Sequence, residues 1–228
     1  MFAPGHAAWA RAGVAGCCAG TADAGFCYTA SMGGRSVPAG ATAEGRMPRL
    51  ALGDGARLRP LRDRDARGLF EIIDRNRARL RLWLSWLDEH RDVEAVRNLI
   101  IHHRRDFNRG HSVRLGIEYH ERIVGIIGLQ RINRADRTAS LGYWLDSEHE
   151  RLGLVTRGAA ALSRYGIADL GLGRIELAAA TGNTRSIAVA ERLGFRFEGV
   201  MRCREWLYDH YVDHAVYSLT HHDRLPSI

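Results

Sequence analysis

Two stretches of the chain carry residues whose types and spacing suit chemistry on a phosphate-bearing ligand. The first, 141–156, reads LGYWLDSEHERLGLVT: a strand end, a short polar turn and the amino terminus of a helix. A helix start leaves several N–H groups without intrahelical acceptors at the positive end of the dipole, and together they bind phosphate. Gly153 allows the main chain to approach such a ligand, since no Cβ stands in the way. A lone glycine before a helix equally fits a plain turn, so this stretch alone leaves both readings open. The second, 181–195, reads TGNTRSIAVAERLGF and follows a strand-like run. Asn183 and Ser186 stand just before and within a first helical turn, where such side chains suit capping as well as ligand contact. No covalent route is offered: Cys203 lacks a nucleophile's setting, and neither a Ser-His-Asp signature nor a zinc-spaced Cys/His cluster occurs. No metal site is expected.

Periodicity supplies the elements that must hold these residues. A short strand is predicted over 57–61, with Asp63 and Asp65 suited to cap a helix beginning near Ala66. Leu80, Trp83, Leu84 and Leu87 repeat at i, i+3, i+4, i+7 and predict a second helix; Val96, Leu99, Ile100, His103 and Phe107 predict a third, behind Asp92 as its cap and ended by Gly110. His103 reads as a core or boundary histidine. The period then becomes two at Val113, Leu115, Ile117 and Tyr119, with a turn at His120–Glu121 and strands over 123–132 and 138–145. A helix over 154–170, a strand over 174–180, a helix over 184–193 and strands over 195–207 and 211–219 complete the pattern. That order predicts a single α/β domain whose mixed, mostly antiparallel sheet is flanked by helices.

Composition narrows the classes. The 228 residues are 46% hydrophobic and 26% charged, enough for one good-sized core. No apolar run is long enough to span a membrane, and none is expected to be involved. The formal net charge of +7 comes from arginine alone, because the chain contains no lysine. These arginines alternate with acids rather than forming a block, so direct nucleic-acid binding is not expected. Cysteines 17, 18, 27 and 203 do not make a disulfide framework, which fits a reducing, cytoplasmic setting. Residues 1–46 are rich in Ala, Gly and Ser and show no sustained period, and are expected to be a disordered extension; Met47 looks like an ordinary protein start, which makes a misassigned upstream start a further expectation.

The motifs together resemble the GCN5-related N-acetyltransferases. That family's acyl-CoA signature is a (Q/R)-x-x-G-x-(G/A) turn followed by N-x-x-S-x-x-x-x-(E/K)-x-x-G-F, and the second part is met by Asn183, Ser186, Glu191, Gly194 and Phe195. The opening LRPLRDRDARGLFEIIDRNRARLRLWLSWLD, the GYWLD strand and the closing YDHYVDHAVYSL narrow the resemblance to the ribosomal-protein-serine acetyltransferase branch. It covers 57–222. The turn departs from the family, with Glu150 for the Gln or Arg, Arg151 for the first Gly, and Arg157 for the Glu after Thr156. Arg157 in a first helical turn opposes the dipole by about 0.3–1 kcal/mol, and either a ligand phosphate or solvent would receive it.

The resemblance implies direct transfer of an acetyl group from acetyl-CoA to an amine, on a sheet whose central strands splay to admit the co-substrate. It assigns the thioester carbonyl to the Trp144–Leu145 strand end and the pyrophosphate to Arg151, Leu152, Gly153, Leu154, Val155 and Thr156. Asn183 would hold the pantetheine arm, and Ser186 would protonate the departing thiolate. The acceptor pocket is expected around Trp83 and Trp86 and the closing hairpin, where Tyr211 and Asp213 are candidates that read otherwise as an edge-strand aromatic with a turn carboxylate. Where relatives often carry a Glu before GYW, this chain has Ser140. An α-amino group, with a pKa of about 8, is partly neutral near neutrality and needs less help than a lysine at about 10.4. A protein amino terminus is therefore the expected acceptor, a small-molecule amine such as an antibiotic or toxin the alternative, and a non-catalytic acyl-CoA sensor the reading outside enzymes. A monomer or homodimer is expected.

Overall fold

The computed structural model describes residues 45–226, so the expectation for 1–46 lies almost wholly outside the described residues. The chain opens with β1 (Leu50–Gly53) and β2 (Ala56–Arg59), joined by Asp54 and Gly55. Both turn residues have positive φ, 48° and 70°, the geometry of a tight hairpin turn. Helix α1 (Ala66–Arg75), the single turn α2 (Arg77–Leu80) and α3 (Val93–Asn108) follow. The meander is β3 (Val113–Tyr119), β4 (Arg122–Asn133) and β5 (Thr138–Leu145). Then come α4 (Leu154–Ala168), β6 (Arg174–Ala180), α5 (Thr184–Arg192), β7 (Arg196–Leu207) and β8 (His210–Thr220).

Eight strands form one sheet in the order β1-β2-β3-β4-β5-β6-β8-β7. Among the described strands, β5 and β6 alone run parallel, joined by the crossover helix α4 that a parallel pair needs. The alternation of β3 and β4 sends Leu115, Ile117, Ile127 and Leu129 to one face, where they pack with Leu154, Ala159 and Leu162 of α4. The opposite face buries Leu69 and Ile73 of α1, Ile100 of α3, Ile126 and Trp144. Asp92 caps α3 by accepting the Ala95 N–H at 2.7 Å, and Gly110 follows the helix at φ 72°.

Three expected features differ. The stripe at Leu80, Trp83, Leu84 and Leu87 is not a helix: after α2 the chain runs through turns and a short 3-10 segment, Leu87–Glu89. Side chains take the carbonyls that a helix would need. Arg77 donates to Leu87 O and His90 O at 2.7 and 2.8 Å, and Tyr208 donates to Leu84 O at 2.7 Å. Asp65 does not cap α1 with its carboxylate, which instead accepts from Arg59 and from the Arg62 N–H at 2.7 Å each. The strand predicted over 57–61 spans Ala56–Arg59, stopped by Pro60, which cannot donate to a ladder.

Candidate active site

Strands β5 and β6 pair only where Thr138–Ser140 meets Arg174–Glu176. Beyond that point they diverge, so 141–145 and 177–180 border an open gap. The phase of β5 decides what faces it. Asp146 donates its N–H to Val124 O at 2.8 Å, which turns the alternate residues Trp144 and Gly142 toward β4 and leaves the N–H groups of Tyr143 and Leu145 directed into the gap. Leu145 is pinned there, because Arg79 donates to its carbonyl at 2.6 Å. Trp144 itself turns its indole into the core with Ile100 and Ile126.

A buried polar network fixes this strand end. Asp146, wholly shielded from solvent, accepts from Arg75, from Asn76 Nδ2 at 2.7 Å, and lies 2.9 Å from His149 Nδ1. Burial opposes its ionisation, yet the Arg75 guanidinium and the Asn76 amide hold the carboxyl below the usual range. Asn76 Oδ1 in turn accepts from the Ser147 N–H and from Arg79, at 3.1 Å each. Arg79 reaches on to Glu150 at 2.8 Å, and Arg185 meets the same carboxylate at 2.6 Å. The strand end, the turn before α4 and the start of α5 are thus tied together.

The turn makes a cradle. Arg151 and Gly153 adopt φ 64° and 70°, and the first main-chain bond of α4 is Arg157 N–H to Gly153 O at 2.9 Å. The N–H groups of Arg151 through Thr156 therefore find no acceptor among the described residues. Arg157, at the edge of the cavity, donates to Leu52 O at 3.0 Å, Asp54 at 2.8 Å and Leu152 O at 3.2 Å, tying the cradle to the β1–β2 hairpin. Two cations that sequence reasoning missed also border the site. Arg192 donates to Thr156 Oγ1 at 3.0 Å, and Arg185 and Arg192 both line the cavity from α5. Their separation of seven residues, two helical turns, is the signal that places both on one face.

Asn183 caps α5, accepting the Ser186 N–H at 3.2 Å. Tyr143 donates to Ser186 O at 3.4 Å, and burial pushes the Tyr143 hydroxyl up to about 12. The Ser186 main chain is thus engaged on both sides, while its hydroxyl has no partner among the described residues. The gap opens into a cavity of about 1650 Å³ lined by Trp83, Trp86, Leu145, Gly153, Asn183 and Ser186 among others.

Tyr211 and Asp213 do not line this cavity. Tyr211 is 60% exposed and packs edge-on against Trp206 at 4.8 Å, whereas Asp213 accepts the Cys203 N–H at 2.8 Å and staples a bulge of β7. Cys203 has φ 49° there, and the pairing slips between Met201 and Glu205. The slip aims Arg204 and Glu205 into the cavity, with His214 beside them. Glu205 accepts from Ser85 Oγ at 2.8 Å and stands 3.2 Å from His214 Nε2, whose pKa burial lowers. His103 also borders the cavity, and burial pushes it down to about 3. No cluster suited to a metal ion occurs among the described residues.

The model of the acetyltransferase (GNAT) domain family matches residues 56–196. YdaF of Bacillus subtilis (strain 168), a protein with a ribosomal N-acetyltransferase designation, is 34% identical over 165 residues, 71% of this chain and 89% of YdaF. The ribosomal-protein-serine acetyltransferase of Escherichia coli (strain K12) is 26% identical over 169 residues, 74% of this chain and 94% of its own. Among solved structures, the microcin C7 self-immunity acetyltransferase MccE, in complex with acetyl-CoA and AMP, superposes with a TM-score of 0.71 at 26% identity, covering 74% of this chain and 94% of its own.

Proposed function

The chain belongs to the GNAT family of acetyltransferases, and from that premise we propose that this acetyl-CoA-dependent N-acetyltransferase acts on the α-amine of a protein amino terminus. The observation that carries the reading is the gap between β5 and β6, which sets the Leu145 N–H between a cradle of unengaged N–H groups and a roomy chamber under Trp83 and Trp86. Two relatives carry ribosomal acetyltransferase designations, which supports a protein acceptor.

Bound acetyl-CoA supplies a thioester whose carbonyl carbon is attacked by the amine while the thiolate leaves. The chain's own groups do the rest. The N–H groups of 151–156 and the guanidinium groups of Arg185 and Arg192 bind the phosphates, replacing the charge that Glu150 lacks. The Leu145 N–H donates to the carbonyl oxygen as charge grows on it; a fixed donor of this kind contributes about 10²–10³ in rate. Asn183 holds the start of α5, so that the Ser186 hydroxyl would donate a hydrogen bond to the departing thiolate, which takes its proton from water while the hydroxyl keeps its own. The Glu205–His214 pair takes the proton released by the amine, a light task for an α-amine with a pKa of about 8.

The likeness to MccE favours a small-molecule toxin amine as the second acceptor class. Mass spectrometry on a panel of unblocked peptides, amino-terminally blocked peptides with an internal lysine, and small amines separates these. Acetylation of the unblocked peptides at their α-amines is the expected result; modification of small amines alone overturns the protein-terminus reading.

A further inference from the structure

The acceptor side of the cavity holds a cation with too little counter-charge. Arg114 leaves β3 to form a wall with His103 of α3 and Gln130 of β4. Its guanidinium donates to Gln130 Oε1 at 3.0 Å, and the carboxylate facing it, Asp106, stands 3.9 Å away, beyond hydrogen-bond reach. Burial lowers its pKa, with Asp106 alone opposing. A guanidinium offers five N–H donors, so most have no protein acceptor among the described residues. His103 gives no relief: it is only 6% exposed, uncharged near neutrality, and its Nδ1 has no partner among the described residues. Of the acids lining the cavity, Glu205 is engaged with Ser85 and His214 and Glu150 with Arg79 and Arg185, while Glu89 makes no ion pair with Arg114.

The sheet is shaped to hold this wall. Gly128 and Gly142 are cross-strand partners on β4 and β5. A Cβ on Gly128 would stand 2.7 Å from Arg114 Cγ, and one on Gly142 would stand 2.6 Å from Gln130 Nε2. Both polar side chains lie flat across the glycines, in space that any larger residue would fill. Arg131 adds a second cation at the rim, donating to Ser140 Oγ at 2.8 Å.

Resting on the acetyltransferase reading above, we propose that Arg114 and Gln130 form an oxyanion subsite of the acceptor pocket, and that the acceptor is an amine bearing a carboxylate or phosphate close to the reacting nitrogen. For a protein terminus, this is an acidic residue following the first. A partly desolvated cation is costly until an anion meets it, and a charge-assisted, two-pronged contact is what the guanidinium geometry favours. A polyamine would meet like charge on this wall.

The test titrates the full, CoA-saturated chain with peptides that begin Ser-Asp, Ser-Asn, Ser-Lys and Ser-phosphoserine, by calorimetry, and follows acetyl-CoA-dependent thiol release with the same set. The expected preference for Asp over Asn is about tenfold or more, with Lys weakest; the phosphoserine arm shows which oxyanion fits better. In Arg114→Met and, separately, Gln130→Leu, the Asp-to-Asn ratio should collapse toward one while CoA affinity and melting temperature hold. Equal binding of Asp and Asn peptides by the unmodified chain, or an unchanged ratio in Arg114→Met, overturns the subsite. Acid-selective binding without any acetyl transfer leaves the subsite standing and instead defeats the acetyl-transfer reading.

Discussion

Gly153→Val separates what the cradle does for binding from what it does for folding. At φ 70° the residue sits in the left-handed region, and the Cβ direction is open, with Arg157 Nε at 4.0 Å the only heavy atom near. A clash with the protein is therefore not the issue. Holding a β-branched residue in that conformation costs about 1–3 kcal/mol, and each kcal/mol lowers the melting temperature of a domain of this size by about 2–4 °C. Inside the cradle the added side chain also covers the N–H groups of 151–156. Losing a single charge-assisted bond, at about 1.5–3 kcal/mol, weakens acetyl-CoA at least tenfold. Gly171→Val is the matched control: its φ is 67°, nothing lies within 4 Å of its Cβ position, and it is remote from the cavity lining. Calorimetry and thermal melts on both variants should show similar losses of stability but weakened acetyl-CoA binding for Gly153→Val alone. Full affinity in the destabilised Gly153→Val protein would refute the cradle assignment, and equal weakening in both would show that strain, not position, is responsible.

Other outcomes follow from the same geometry. Asn183→Ala removes the cap of α5 and should cost about 1 kcal/mol of stability as well as raising the acetyl-CoA KM. Ser186→Ala removes an unengaged hydroxyl, so its melting temperature should hold while kcat falls; paired melts and single-turnover rates that show the reverse would return Ser186 to a structural role. His103, pushed down to about 3 from 6.5, binds fewer protons in the folded state than in the unfolded chain between those values. Stability should accordingly fall as pH drops from 6.5 toward 3, and His103→Leu should flatten that slope in chemical-denaturation curves; an unaltered slope would show that the ring is not the group titrating.

Much of the scaffold is legible in the residues. The strands over 138–145 and 174–180 match β5 and β6 end for end, because alternation on a half-buried sheet leaves little freedom of register. Asp92 and Gly153 mark the starts of α3 and α4 for local reasons, a carboxylate cap and a left-handed turn. The loop after Leu80 is not legible, since its helical spacing is overruled by carbonyl contacts from Arg77 and from Tyr208.

 Tyr208 stands 124 residues along the chain from Leu84, so no local pattern announces that contact. On the acceptor side, Trp83 and Trp86 line the cavity while Tyr211 and Asp213 do not, for a related reason. Tyr211 and Asp213 are candidates by their place in the closing hairpin alone, whereas the bulge at Cys203 resets which side chains face inward and brings Glu205 and His214 to the cavity. Arg157 likewise found its partners in β1 and the turn after it, a four-residue strand too short to read from LALG alone.

The most direct test of the account is a stoichiometric one: the full chain, acetyl-CoA and a peptide with a free amino terminus, with CoA thiol and acetylated peptide quantified together over time. Direct transfer at the gap between β5 and β6 predicts that both products appear in equal amounts, only when the amine is present, with no acetyl group left on the protein. Thiol release that ignores the amine, or an acetylated form of the chain that accumulates before the peptide is modified, would contradict it.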